Sequence, residues 1–303
     1  MWGIDRHPGK GEGVIGTVVV PLDGSELAAA ALPYGRALAE KFGATLYLVR
    51  VVDIDAPAEV AADARDYLAR IAQETGLATE IVVRYGDPAA EIVDLVLELP
   101  EPMITMTTHG RSGIGRWLFG SVADRVVRNA GVPVLLIRSS MPQREPGVLR
   151  SILLPVDGST LAEAAVPYAT ELARRFDATI HLVRVAETPE IYSLLSVPAG
   201  APTSAEVLNQ LAQQVVETAT SYVNELAERL RSEGLRVDAH VLEGIAPEQL
   251  LDFERERQPD IVVMATHGRS GLSRVVFGSV AERLLREGTV PLLLIRPPEA
   301  AQA

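Results

Sequence analysis

Residues 107–121 read TTHGRSGIGRWLFGS, and residues 265–279 read ATHGRSGLSRVVFGS. Gly110, Gly113 and Gly120 in the first stretch recur as Gly268, Gly271 and Gly278 in the second, and Ser121 recurs as Ser279. Glycine has no Cβ, so its backbone N–H lets a ligand come close. A serine hydroxyl beside the unpaired amides and positive dipole end of a helix is phosphate-binding chemistry. Arg111 or Arg116, and Arg269 or Arg274, would add charge. The plainer alternative is a strand-to-helix turn in which glycine permits the bend and serine caps the helix. Spacing alone serves either.

A second pair of candidates stands far upstream. VVVPLDGS and ILLPVDGS place Asp23 and Asp157 just after an apolar run. At the carboxyl edge of a sheet such a carboxylate can accept from a ribose hydroxyl or an adenine amine. It can equally cap the helix that follows. Other motifs fail their context. Gly11–Gly16 spells G-x-G-x-x-G but precedes the first strand, whereas a dinucleotide turn follows one. There is no Walker lysine motif, and GRSG is followed by Ile114 or Leu272 where a nucleophile elbow needs glycine. The five histidines, His7, His109, His181, His240 and His267, show no metal-ligand spacing, and His181 reads as a structural strand residue. No general base stands beside a nucleophile, so no catalytic residue is assigned.

The elements that must position these groups come twice. Residues 17–52 match 151–186 without a gap, and about 20 of 32 positions are identical between 107–138 and 265–296. A duplication of that length gives tandem domains, placed at 14–138 and 148–297, joined by the polar, proline-bearing 139–149. The second copy carries about 24 extra residues near 187–210, expected as a loop followed by an extended helix. In the first copy, 18–22, 45–52, 80–85, 103–108 and 133–138 read as strands. Helices are expected after Ser25, over 59–75 up to Gly76, over 87–99 and over 121–130. Pro33 and Pro167 fall inside the first helix of each copy and predict a bend.

Strands alternating with helices imply parallel pairing and a doubly wound α/β layer structure. Ligands of such sheets bind beyond the carboxyl ends of the strands where strand order reverses. The glycine-serine stretch follows the fourth strand and so falls there.

With 303 residues, 48% of them apolar, the chain has material for two cores. A net charge of −12 argues against a basic nucleic-acid-tracking surface. The absence of cysteine excludes disulfides and thiolate chemistry and fits a reducing cytoplasm. No apolar run approaches membrane-spanning length, and the opening residues lack a signal peptide's apolar centre. A cytoplasmic protein without membrane or nucleic-acid partners is expected.

Each half resembles a universal stress protein domain. The resemblance rests on L-D-G-S or V-D-G-S after the first strand, T-H-G-R-S-G after the fourth and G-S-V-A at the last helix. Nucleotide-binding members of that family carry Gly-x-x-Gly, nine residues, then Gly-Ser or Gly-Thr. Gly110 and Gly268 match the second glycine, and Gly120-Ser121 and Gly278-Ser279 match the closing pair at the same interval. The resemblance implies two Rossmann-like domains of the adenine nucleotide alpha hydrolase type, each a five-stranded parallel sheet of order 3-2-1-4-5. It implies ATP, with Mg carried by the phosphates. Adenine would meet Pro21, Asp23 and Val51, or Pro155, Asp157 and Val185. The loop glycines with Ser121 and Val122, or Ser279 and Val280, would hold phosphates.

The family's first glycine is Thr107 in one copy and Ala265 in the other. If that position needs φ > 0, a side chain costs ~1–2 kcal/mol, roughly tenfold in affinity, and the β-branched Thr107 suffers more. The second site would then be the better filled. If the backbone there is plain strand, little is lost. The fifth strand is apolar on both faces and an edge in the 3-2-1-4-5 order, which invites pairing. The resemblance implies that the two fifth strands meet across a pseudo-two-fold axis, with a further homodimer compatible. Three functions stay open: a nucleotide-binding stress-response protein with slow ATP hydrolysis at most, an interaction module that binds no nucleotide, and an adenylating enzyme. The last is disfavoured by the missing lysine.

Overall fold

The uninterrupted apolar runs at 18–20 and 152–154 become central strands covered on both faces, because no polar side chain breaks them. The computed structural model describes residues 14–108, 120–138, 147–187, 205–266 and 278–296, with residues 205–208 by backbone alone. The chain separates into two units, Met1–Ser139 and Ser140–Ala303.

In the first unit the order is β1 (Thr17–Pro21), α1 (Glu26–Ala29), α2 (Leu32–Phe42), β2 (Thr45–Val52), α3 (Ala58–Thr75), β3 (Thr79–Tyr85), α4 (Pro88–Glu98), β4 (Pro102–Thr107), α5 (Ser121–Asn129) and β5 (Val134–Ile137). The second unit repeats it as β6 (Ser151–Pro155), α6 (Thr160–Glu163), α7 (Val166–Phe176), β7 (Thr179–Ala186), α8 (Ala205–Ser232), β8 (Arg236–Glu243), α9 (Ala246–Arg257), β9 (Ile261–Ala265), α10 (Ser279–Glu287) and β10 (Leu292–Ile295). Within the units the sheets run β3-β2-β1-β4-β5 and β8-β7-β6-β9-β10. All pairs within each sheet are parallel, with Thr17 beside both Thr45 and Pro102, and Ile152 beside Ile180 and Ile261. The strand order therefore reverses between β1 and β4, and again between β6 and β9.

The central strands are the core. Val18, Val19 and Val20 of β1 and Ile152, Leu153 and Leu154 of β6 are fully buried. Each such side chain contributes about 1.5–3 kcal/mol by leaving water.

The proline-bearing helix does not bend; it divides. Ser25 caps α1, and α2 then starts afresh with Pro33 in its first turn; Pro167 does the same in α7. A proline N–H would be unpaired at a helix start in any case, so division costs less than a kink. The extra residues of the second copy lengthen a helix: α8 has 28 residues where α3 has 18. The stretch 188–204, which holds most of the insertion, lies outside the described residues.

Asp87 shows how caps aim the helices. It caps α4 by accepting from Ala90 N–H at 2.9 Å, and its other oxygen takes Arg125 of α5 at 2.7 Å. The Arg125 bond, then the backbone amides, holds its pKa below the usual carboxylate value. Asp87→Ala is expected to lower stability by about 1 kcal/mol, the usual worth of a lost cap. Urea denaturation of the full chain reads the change.

Candidate functional site

The turn after β1 is built by its own side chains. Asp23 Oδ1 accepts from the Ser25 N–H at 2.9 Å and the Ser25 hydroxyl at 2.6 Å. The Ser25 oxygen in turn accepts from Ala28 N–H at 3.1 Å. Asp157, Ser159 and Ala162 repeat all three bonds. Between each aspartate and serine lies a glycine at positive φ, Gly24 at +87° and Gly158 at +84°. A Cβ at either would stand 3.3 Å from a guanidinium nitrogen of Arg50 or Arg184. Backbone conformation and close approach both demand glycine there. One oxygen of each aspartate thus supports the helix cap, the plainer of the two roles the sequence allowed.

The end of β4 differs from the simplest expectation. Gly120 N–H bonds the Thr108 carbonyl at 2.6 Å, and Gly278 N–H bonds that of Thr266 at 2.8 Å. Both glycines are extended helix caps, at φ −62°, ψ 145° and φ −64°, ψ 151°. Ser121 and Ser279 are therefore the first helical residues, and neither helix has a side-chain cap. The reading of serine as the cap is corrected: the cap is glycine, and the serine hydroxyl is exposed. The first intrahelical bonds are made by Asp124 N–H to Gly120 at 3.1 Å and Glu282 N–H to Gly278 at 3.0 Å. The amides of Ser121–Ala123 and Ser279–Ala281 precede them and have no carbonyl within their helices to receive them. Gly110, Gly268, His109, His267 and the loop arginines lie outside the described residues.

Thr107 and Ala265 close β4 and β9 as ordinary strand residues. Among the described residues, only Glu101, Asp177 and Gln258 are non-glycines at positive φ. The conditional backbone cost at Thr107 and Ala265 does not arise, and the ranking of the two sites on that ground falls with it.

These segments converge on a cavity in each unit. In the first, of about 250 Å³, the lining includes Pro21, Asp23, Val51, Thr107, Gly120, Ser121 and Val122. In the second, of about 400 Å³, it includes Pro155, Asp157, Val185, Ala265, Gly278, Ser279 and Val280. Every described candidate in each unit thus faces one space, at the carboxyl edge of the sheet, where the strand order reverses. The second lies within the roughly 300–1,000 Å³ range of small-molecule pockets, and the first a little below it.

The two cavities are walled differently. Val215 and Ala219 from the lengthened α8 line the second, while no residue of α3 is among the first cavity's lining. Arg184, buried in β7, also lines the second cavity and lies under the ring of Tyr222 at 5.0 Å. The Tyr222 hydroxyl donates to Glu163 at 2.9 Å. Burial first, then Glu163, pushes this phenol far above its ordinary value, so it is a donor and not a base at neutral pH. In the first unit Arg50 stacks on Tyr67 at 5.3 Å. Sequence reasoning missed Arg184; the signal was an arginine amid an apolar strand in both copies.

Three comparisons bear on this geometry. The model of the universal stress protein family matches residues 15–138 and again 149–296. The universal stress protein MJ0531 of Methanocaldococcus jannaschii is 28% identical over 163 residues, 54% of this chain and 91% of that protein. The universal stress protein Rv2005c of Mycobacterium tuberculosis is 28% identical over 221 residues, 70% of this chain and 67% of that protein. The crystal structure of a universal stress protein from Archaeoglobus fulgidus shares the fold at TM-score 0.70 and 20% identity, covering 93% of this chain and 98% of that one. Among the described residues no helix is long and apolar enough to cross a membrane.

Proposed function

The chain belongs to the universal stress protein family, and from that premise we propose that each unit binds an adenine nucleotide, ATP foremost, in the cavity at the β1/β4 or β6/β9 switch. The protein acts in the stress response as a regulatory nucleotide binder, with slow ATP hydrolysis at most. One observation carries the reading. In both units the chain's duplicated motifs bring a glycine cap, an unspent serine hydroxyl and unpaired helix amides to the mouth of an otherwise largely apolar cavity.

The parts fit the ligand's chemistry. Pro21, Val51 and Met106, or Pro155, Val185 and Met264, offer apolar surface to a base. Asp23 or Asp157 faces the same space and can accept from a ribose hydroxyl. Gly120, Ser121 and Val122, or Gly278, Ser279 and Val280, would receive phosphates, with Gly110 and Gly268 of the preceding loops. Mg would ride on the phosphates; an acidic chain of net charge −12 favours a ligand whose charge is partly neutralised. The larger second cavity accommodates the nucleotide more readily.

Further parts of the proposal rest on sequence. The domains are assigned to 14–138 and 148–297, the two fifth strands pair with one another as apolar edges, and the protein resides in the cytoplasm. A further homodimer is compatible with these.

Calorimetry with Mg-ATP on nucleotide-stripped full chain tests the reading. Saturable binding is expected, weakened about tenfold per site in Ser121→Ala and Ser279→Ala, since a hydrogen bond to a charged group is worth about 1.5–3 kcal/mol. A flat titration of well-folded protein would leave instead an interaction module whose aspartates serve only the helix caps.

A further inference from the structure

Outside the linings of both cavities, strand register in the second unit brings together three side chains that the sequence keeps far apart. His181 of β7 and Asp238 of β8 are direct register partners, and His240 follows two residues along β8, on the same face. One ligand atom from each of His181, Asp238 and His240 lies within 4.8 Å of the others. His181 Nδ1 stands 3.6 Å from Asp238 Oδ2. Ligands held about 2.0–2.2 Å from one tetrahedral ion are about 3.4 Å apart, so this pair is already near the required bite. His181 Nδ1 and His240 Nε2 are buried nitrogens with no hydrogen-bond partner among the described residues. Such orphans are costly and ask for an occupant.

We propose that His181, Asp238 and His240 form a three-ligand site for a divalent transition-metal ion of borderline softness, Zn²⁺ foremost, with water completing the coordination. Two imidazoles and one carboxylate suit zinc or its first-row neighbours and do not suit Mg²⁺ or Ca²⁺, which take oxygen ligands. Asp238 is exposed, so an ion has a path in. Phe253 of α9 packs edge-on against both rings, at 5.8 Å and 4.9 Å, and fixes their orientation. Arg257 on the same helix opposes the ion's charge, and the Asp238 carboxylate offsets it.

The first unit is a built-in control. Tyr47 and Glu80 are the matching register pair, and Val82 stands where His240 does. One ion per chain is therefore expected. Bound there, it would staple β8, the terminal strand of the second unit's own sheet, to β7. Separations along the chain do not show this cluster, because the register of β7 and β8 assembles it.

The test uses metal-stripped full chain without nucleotide, titrated with Co²⁺ and Zn²⁺ alone. One equivalent of Co²⁺ should give the strong visible band of a four-coordinate ion, Zn²⁺ should displace it, and Zn²⁺ should raise the melting temperature. Outer-shell changes already cost 10–100-fold at metal sites, so Asp238→Asn and His240→Gln should each weaken binding by at least about 100-fold. Asp238→Asn lies at an exposed position and should fold normally; melting without metal checks both variants. No band and no thermal shift would overturn the site. Binding that both folded variants leave unchanged would overturn it equally, placing the ion on other histidines.

Discussion

Gly278→Val is expected to weaken Mg-ATP binding by the second unit at least about 100-fold while leaving that unit folded. The backbone at Gly278 is extended, φ −64°, ψ 151°, a conformation that any residue adopts. A Cβ there would sit 3.4 Å from the Thr266 carbonyl oxygen, at the near edge of ordinary contact, so the unit should still fold at the cost of about 1 kcal/mol for a poor cap residue. The cost falls on the ligand. Valine's two methyl groups would crowd the bare amides of Ser279 and Val280, where we place the phosphates, and a charge-assisted hydrogen bond lost without replacement is worth about 1.5–3 kcal/mol. Two such losses give the stated factor. Calorimetry beside a thermal melt separates the outcomes. Unchanged affinity in a folded variant would remove the helix terminus from the binding site, and the phosphate assignment with it.

The largest expected effect on stability comes from Glu254→Ala, about 2–4 kcal/mol. Glu254 on α9 is only 2% exposed. Its carboxylate accepts from both the N–H and the hydroxyl of Thr289, the latter at 2.8 Å. That contact fastens the chain just beyond α10 to α9. Gly288 makes it feasible, since a Cβ there would stand 2.5 Å from the Leu284 carbonyl and 2.9 Å from Glu254 Oε2. Alanine would leave a cavity and two donors without their acceptor, and both terms are destabilising. Glu254→Gln retains an amide oxygen to accept and should cost clearly less. The matching first-unit residue is Val96, 1% exposed, so the buried carboxylate belongs to the second unit alone. Urea denaturation of the full chain distinguishes the variants; equal losses in the two would assign the effect to packing and not to the hydrogen bonds. Because α10 begins at Ser279, Glu254→Ala should also blunt nucleotide binding there.

Particular residues mark the limit of what a sequence shows. The cap at Ser25, the left-handed Gly76 at the end of α3 and the Asp87-Pro88 start of α4 are local, and the chain announces them. Ser121 opens α5 where the chain places it, but the cap before it is a glycine at an extended dihedral, and only the backbone path reveals that. Thr107 and Ala265 posed a question of φ that residue type leaves open; the answer came from their pairing as strand ends. Arg184 is an oddity in an apolar strand until Tyr222, from a helix whose start lies beyond the matching copy, closes over it.

By itself, then, the chain determined the duplication, the alternation of strand with helix and the short segments that hold glycine, serine and aspartate. Those properties depend on neighbours within a few residues, where periodic burial and cap chemistry act. The tertiary structure decided what converges: which serine hydroxyl is left unspent, how large each cavity is and that His181, Asp238 and His240 meet at all. Convergence depends on strand register and on the order of strands in the sheet, and a shift of one residue in pairing would carry each side chain to the opposite face.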